Sequence, residues 1–325
     1  MNATIIEALL PIVVTLIMGY MAGWHRNFSA DQASILNRMV MLYALPLNLF
    51  AGILSTPRDQ VLAAGSLFFV IFLGMIASYG VVFLFSRYLF HRSSGVAALQ
   101  ALAISGPAVP FVGVPVLGHI FGPASAVPIA IASLLMNLIQ VPLTLILLTA
   151  DAQNAPPASG QSTSAPEMGQ SRKGSFLSYV VAACKEPVVW APVAGLVLVL
   201  FGFSLPQALR GSLTLLGQST GGVALFASGI ILFSRQVMFD RQIARAVIAK
   251  NIIMPGITWA TALVLDLPAA LTQESVITMA IPTASIAVML AVQYHTAERE
   301  MASVLFFTTI LSVFTMGGFI WLTGF

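Results

Sequence analysis

The chain reads as an all-α polytopic membrane protein. Ten transmembrane helices are expected, in two inverted five-helix repeats with the fourth and ninth helices broken. Three observations predict this. The composition is 58% hydrophobic and only 8% charged, with mean hydropathy +0.95, whereas a soluble chain carries about 25% charge. The basic residues segregate to alternate loops, as cytoplasmic loops require. Two apolar segments in corresponding parts of the two halves are interrupted by prolines, Pro107 and Pro282, which lie 175 residues apart in a chain of 325.

The apolar runs place spans at about 5–23, 34–54, 62–86, 95–118 and 125–149, then 187–202, 207–233, 240–265, 273–292 and 301–323. The division within 187–233 rests on the turn Gly202 to Pro206. Charge tests the count. With both termini outside, the inner set is Arg26, Arg38, Arg87, Arg92, Arg172, Lys173, Lys185, Arg235, Arg241, Arg245, Lys250 and Arg299; the outer set is Arg58 and Arg210. Twelve and two account for all 14 basic residues, and a one-span shift would spoil the bias downstream. The first apolar run lacks a basic lead-in and follows Glu7, so it reads as the first span and not as a cleaved signal. The net charge of +3 follows from loop orientation and not from a nucleic-acid surface. Cys184 is the single cysteine, which excludes an internal disulfide and a cysteine metal cluster.

Residues 150–173 divide the chain. The Pro, Ser, Gln and Ala composition of Ala150 to Ser171 builds no core and reads as a flexible cytoplasmic linker. Five spans lie on each side, in 1–149 and 174–325, and an odd number per half inverts the second half. Leu10-Pro11 echoes Ala191-Pro192, and the broken segments match as the fourth and ninth spans.

The fourth span contains Ile104-Ser-Gly-Pro-Ala-Val-Pro-Phe-Val-Gly-Val-Pro115, and the ninth contains Thr278-Met-Ala-Ile-Pro-Thr-Ala-Ser285. A proline removes a backbone N–H and clashes with the preceding turn. In hydrocarbon each freed group costs several kcal/mol unless protein or water satisfies it. Each segment therefore reads as two half-helices joined by an unwound stretch, packed against neighbours. Gly106, Pro107, Pro110 and Pro282 mark the breaks. Paired breaks of this kind point to a transporter's binding site. The second half-helix presents N–H groups and its dipole to an anion, here from Val109 to Gly113 and from Thr283 to Ser285.

The sequence also resembles the auxin efflux carrier family, within the bile acid/sodium symporter-like superfamily, and more narrowly its bacterial malonate transporters. The resemblance rests on Leu45-Pro46-Leu-Asn48-Leu-Phe50, Gly106-Pro107-Ala-Val-Pro110-Phe-Val-Gly113, Pro187-Val-Val-Trp190-Ala-Pro192, Gly229 and Lys250-Asn-Ile-Ile-Met-Pro255. It implies that helices four and nine cross at their breaks. It implies a scaffold of helices 1, 2, 6 and 7, a transport domain of helices 3, 4, 5, 8, 9 and 10, and an elevator-type movement between them. It also implies that the Asn48 position borders the substrate cavity.

The candidate substrate contacts are Asn48, Ser105, Pro110, Phe111, Val112, Gly113, Asn137, Thr283 and Ser285. Gln140, three residues from Asn137 and on the same helical face, reads as support for the open turn of the fourth span. Ser219 and Thr220, beside Gly221-Gly222, read as close helix packing or vestibule. Lys250 is the one cation that reaches well into a span. Snorkelling to the cytoplasmic surface is its default reading, with a role in an inner vestibule as the alternative. No Arg or Lys is expected at the centre of a span. Glu7, Asp266 and Glu274 read as too shallow for a proton relay.

No HExxH or P-loop is present and no polar catalytic constellation assembles at one depth, so neither an enzyme nor direct ATP coupling is expected. The expected function is secondary transport of a small organic anion, malonate being preferred. Another mono- or dicarboxylate, or an anion channel, is the alternative. No cofactor is expected, and the coupling ion, proton or sodium, is left open. The expected partners are the anion, the bilayer and, as an option, a second copy in a homodimer. The expected location is a bacterial inner membrane, multi-pass, with both termini periplasmic.

Overall fold

The computed structural model describes residues 2–54, 65–154, 185, 187–203, 206–235 and 238–324. Among these residues no strand forms; the single β-bridge joins Pro107 and Thr283 in antiparallel sense. Among the described residues, six helices are long and apolar enough to cross a membrane: Ala30–Gly52, Gly65–Leu89, Val127–Ala152, Gly211–Ser234, Arg241–Val264 and Glu298–Leu322. The chain is a multi-pass membrane protein.

Helix α1 is Asn2–Trp24. Helix α2 joins Ala30–Met39, Val40–Ala44 and Leu45–Leu54, and opens on a capping box between Ser29 and Gln32. Helix α3 runs from Gly65–Phe72 through Phe85–Leu89. Helix α4a is Ser94–Ser105, and α4b is Val114–Phe121 preceded by the wide turn Val109–Gly113. Helix α5 joins Ala126–Leu135, Met136–Gln140 and Val141–Asn154. Helix α6 is Pro187–Leu200, and α7 joins Gln207–Gly217 and Ser219–Arg235. Helix α8 joins Arg241–Ile248, Ala249–Ile253 and Met254–Val264, with the Asp240 carboxylate accepting from the Gln242 and Ile243 N–H groups. Helix α9a is Ala269–Ala280, α9b is Ile286–Gln293, and α10 is Glu298–Leu322.

The expected division within 187–233 is present: α6 stops at Leu200, and Gly202 turns the chain with φ +77°, a conformation open to glycine. One boundary is corrected. Ala150 to Asn154 continue α5 as helix, because the apolar helix carries its last turn past the first polar residues. Residues 155–173 of the expected linker, with Arg58, Arg172, Lys173 and Cys184, lie outside the described residues.

Four helices widen by one residue at a fixed distance from a proline. The π-turns Val40–Ala44, Val109–Gly113, Met136–Gln140 and Ala249–Ile253 each end two residues before a proline: Pro46, Pro115, Pro142 and Pro255. In three of them the residue before the proline donates its N–H five residues back: Leu45 to Val40, Val141 to Met136 and Met254 to Ala249. The proline ring would otherwise meet the carbonyl four residues earlier, and the wider turn moves that carbonyl aside.

Helix α1 packs along α7, and α2 along α6. The first contact depends on two glycines. A β-carbon at Gly19 would lie 2.0 Å from the Phe226 carbonyl oxygen, and one at Gly229 would lie 2.2 Å from that of Leu16. The backbones thus touch directly, as small residues allow between membrane helices. Gly222, on the same helix, has nothing within 4 Å of that position. Gly229→Ala is expected to destabilise the protein by about 1–3 kcal/mol, the usual scale of overpacking, and Gly222→Ala to leave stability nearly unchanged. Thermal unfolding of both variants in detergent checks this; equal melting temperatures would contradict the packing account.

Candidate functional site

The two breaks satisfy each other. Helix α4a ends at Ser105, and Gly106 turns extended, at φ −91° and ψ 107°. Helix α9a ends at Ala280, with Ile281 extended at φ −59° and ψ 136°. The Ala108 N–H donates to the Pro282 carbonyl at 2.9 Å, and the Ala284 N–H donates to the Gly106 carbonyl at 3.1 Å. In a helix the Ala103 carbonyl would accept from residue 107, but Pro107 has no N–H to give. The Thr283 hydroxyl donates to that orphaned carbonyl at 2.8 Å. A break in one segment is thereby repaired by the other, as buried irregular backbone in a membrane protein requires.

A second layer supports the α4 break. The Gln140 amide donates to the Ser105 hydroxyl at 2.8 Å and to the Met75 carbonyl at 3.0 Å, tying α3, α4a and α5 together. Ser105 in turn donates to the Ala101 carbonyl at 2.7 Å. Gly106 leaves no room for a side chain, since a β-carbon there would lie 2.7 Å from the Leu102 carbonyl oxygen. Midway along α4a, Gln100 bonds to Ser86 and Glu300, and just before the helix Arg92 bonds to Gln242 and pairs with Glu300 at 3.3 Å. This network joins the end of α3 to the starts of α4a, α8 and α10.

Beside the paired breaks lies a small gap. The α4 segment lines it with Ala108 and Val112, the α9 break with Pro282, Thr283 and Ser285, α7 with Leu225, and α10 with Leu305 and Thr309. Its volume is about 10 Å³ over positions open to the centre of a water molecule, room for roughly one water. Any organic anion is several times larger, so its entry requires the α7 side and the break side to separate. Ser285 is 2% exposed and its hydroxyl has no hydrogen-bond partner.

Val112, Thr283 and Ser285 therefore come together, with Pro282, around one gap. Pro110, Phe111 and Gly113 lie in the wide turn leading into α4b; the side chains of Pro110 and Phe111 lie outside the described set. Ser105 and Gln140 bond to each other behind the break. Asn137 is buried, donates to the Ser133 carbonyl at 2.7 Å, and keeps its own carbonyl oxygen without a partner. Asn48 is half-buried and is not among the residues lining the gap; a β-carbon on Gly217 of α7 would lie 2.9 Å from its Cα. Ser219 donates to the Leu216 carbonyl, while the fully buried Thr220 hydroxyl has no partner.

One expectation is corrected. Lys250 does not snorkel. It is 0% exposed, inside α8, and its Nζ has no hydrogen-bond partner. A lysine is thus buried within a span, contrary to the expected absence of central Arg and Lys; it stands on the π-turn ahead of Pro255. Glu274, five residues from the start of α9a, is 7% exposed. The sequence reading gave no role to Asn251, whose amide donates to the Thr308 carbonyl at 3.0 Å, and passed over Leu225, Leu305 and Thr309. A usable signal existed for Asn251, which stands four residues before Pro255 on a proline-linked π-turn.

The model of a family described as membrane transport protein matches residues 4–320. The "Uncharacterized transporter YfdV" of Escherichia coli (strain K12) is 32% identical over 293 residues, covering 90% of this chain and 88% of the relative. The "Putative malonate transporter" of Rhizobium meliloti is 22% identical over 325 residues, covering 98% and 96%. The "Auxin efflux carrier component 8" of Arabidopsis thaliana is 20% identical over 355 residues, covering 95% and 94%.

The bond from Thr283 predicts an uneven pair of variants. Thr283→Val is expected to lower stability by about 0.6–1.7 kcal/mol, the range for interhelical hydrogen bonds in membranes. Thr283→Ser keeps the donor and is expected to restore most of the loss. Melting of the two variants in detergent is the check, and equal stability would show that the Ala103 carbonyl needs no donor from α9.

Proposed function

We propose, because this chain belongs to the membrane transport protein family that includes the auxin efflux carriers, that it is a secondary carrier for a small organic anion. The family is one of transporters and not of enzymes. The observation that carries the reading is the unpartnered, buried Ser285 hydroxyl in the gap where the broken helices begin again. A donor left unused in the protein is available to a ligand, and the first turns of α4b and α9b add N–H groups and dipoles that favour an anion. Two breaks, each able to engage one carboxylate, favour a short dicarboxylate. Malonate is the preferred substrate, in line with the printed name of the Rhizobium relative. Another mono- or dicarboxylate, or conductive anion flux, is the competing reading.

The packing supports an inverted repeat of ten spans. Exchanging the halves turns the α1–α7 contact into α6–α2, and the α3–α4a contact into α8–α9a, and all four contacts are present. On this reading α1, α2, α6 and α7 form the scaffold and the other helices form the moving domain. Leu225 of α7 then faces the moving breaks across the closed gap, and an elevator-type displacement opens it. The basic loops orient both termini to the periplasmic side of a bacterial inner membrane.

Counterflow in proteoliposomes tests the function. Saturable exchange of malonate is expected, with preference over acetate; flux without saturation would favour a channel, and no flux with any carboxylate would reject the reading. Ser285→Ala is expected to weaken malonate binding about 10- to 150-fold, the loss of a hydrogen bond of about 1.5–3 kcal/mol to a charged partner. Folding stability should change little, because the hydroxyl bonds to nothing in the protein. Unchanged affinity would remove Ser285 from the site. For orientation, cysteines replacing Asn2 and Phe325 in a Cys184-free background are expected to react with an impermeant thiol reagent from outside spheroplasts. Reaction only after permeabilisation would reverse the topology.

A further inference from the structure

Lys250 has no structural reason to be a lysine. It is the largest fully buried side chain of the described residues, and its Nζ neither donates nor pairs. A methionine would fill similar space without burying a polar head. An ammonium held away from water with no acceptor is among the least favourable states of a side chain, and a neutral amine also loses its hydration. Ionisable groups inside a membrane domain mark function by default.

The surroundings connect this group to the breaks. The π-turn Ala249–Ile253 packs against α4a, α9a and α10. Its neighbour Asn251 ties it to the Thr308 carbonyl, and Thr309 lines the gap beside the breaks. The titratable groups on the packed elements are few. Helix α4a carries none, and α9a carries Glu274. Helix α10 carries Glu298, Arg299 and Glu300 in its first turn, with Glu300 engaged by Arg92 and Gln100. That turn is about 12 Å along the helix from Thr308 at 1.5 Å per residue. On α8 itself, Arg241 and Arg245 lie nearer the helix start, Arg245 over the Phe90 ring. Tyr79 of neighbouring α3 bonds to Thr144. No ion pair joins Lys250 to any of them among the described residues.

We infer that Lys250 is the proton-binding site of the carrier: its amine takes up one proton as the organic anion binds at the breaks and releases it after the anion leaves. This inference rests on the carrier reading above. The step is a simple protonation, amine to ammonium, with the proton drawn from the side of the membrane on which the anion binds. Lys250 does not line the gap, so the coupling is electrostatic and acts across the α10 turn at Thr308 and Thr309. In a medium of low dielectric constant the anion and the proton each favour the binding of the other, by the same factor in both directions. Anion and proton then cross together, and the empty carrier returns with an uncharged amine.

The test uses the full chain in three measurements at a pH where malonate is a dianion. A pH dye reads proton uptake when malonate is added to the purified protein. Liposomes with an imposed pH gradient read malonate accumulation, and liposomes without one read counterflow. Wild type is expected to take up one proton per malonate bound and to accumulate malonate toward the alkaline side. Lys250→Met is expected to keep measurable counterflow while losing both proton uptake and the response to the gradient. Lys250→Arg, which fixes the charge, is expected to lose the gradient response as well. Wild-type counterflow without proton uptake or gradient response overturns the inference and leaves the carrier reading intact, as does a variant that stays coupled. Absence of wild-type counterflow with every carboxylate overturns both. If Lys250→Met does not fold, the wild-type proton measurement and Lys250→Arg decide.

Discussion

The structure depends on one constraint: a backbone group freed inside a membrane must find its partner within the protein. Pro107 and Pro282 free such groups at the middle of two apolar segments. The repair is reciprocal, with Ala108 donating to the Pro282 carbonyl and Ala284 to the Gly106 carbonyl. Thr283 then donates to Ala103, the carbonyl that Pro107 leaves bare. Three hydrogen bonds thus tie the two broken segments to each other. Gln140 adds a brace from outside by holding Ser105 and Met75 together.

Prolines have a second effect away from the breaks. The π-turns ahead of Pro46, Pro142 and Pro255 keep the helices continuous while shifting their register by one residue. Asn137, Gln140, Lys250 and Asn251 all stand on such turns, and all four are buried. Polar residues are thus carried inward on helices that otherwise read as plain apolar spans. Gln140 and Asn251 donate to neighbouring helices and hold them together. The Lys250 Nζ, like the Ser285 hydroxyl at the α9 break, has no hydrogen-bond partner among the described residues.

The α1–α7 contact supplies the other half of the architecture. Backbone meets backbone at Gly19 and Gly229, so these helices move as one body if they move at all. Leu225 lies one turn from Gly229 on the same helix and lines the gap at the breaks. The tightest packing and the gap therefore share α7, and the gap is too small for an organic anion as it stands. Under the proposed elevator movement, the boundary that must open is the one between α7 and the breaks.

The sequence by itself determined the membrane class, the run of helices and the two breaks, because hydropathy and proline act locally and leave their mark in composition and spacing. It also identified Thr283 and Ser285 as polar residues flanking a break. Only the tertiary structure separated their roles, since whether a hydroxyl is spent on a carbonyl 180 residues away or left unpaired depends on how α4 and α9 meet. The depth of Lys250 was likewise invisible in the one-dimensional pattern. Counting from the helix end suggested a side chain long enough to reach water, but the π-turn and the packing of α4a, α9a and α10 enclose it. Local sequence sets where a chain can bend; which polar groups find partners is decided only when distant segments come together.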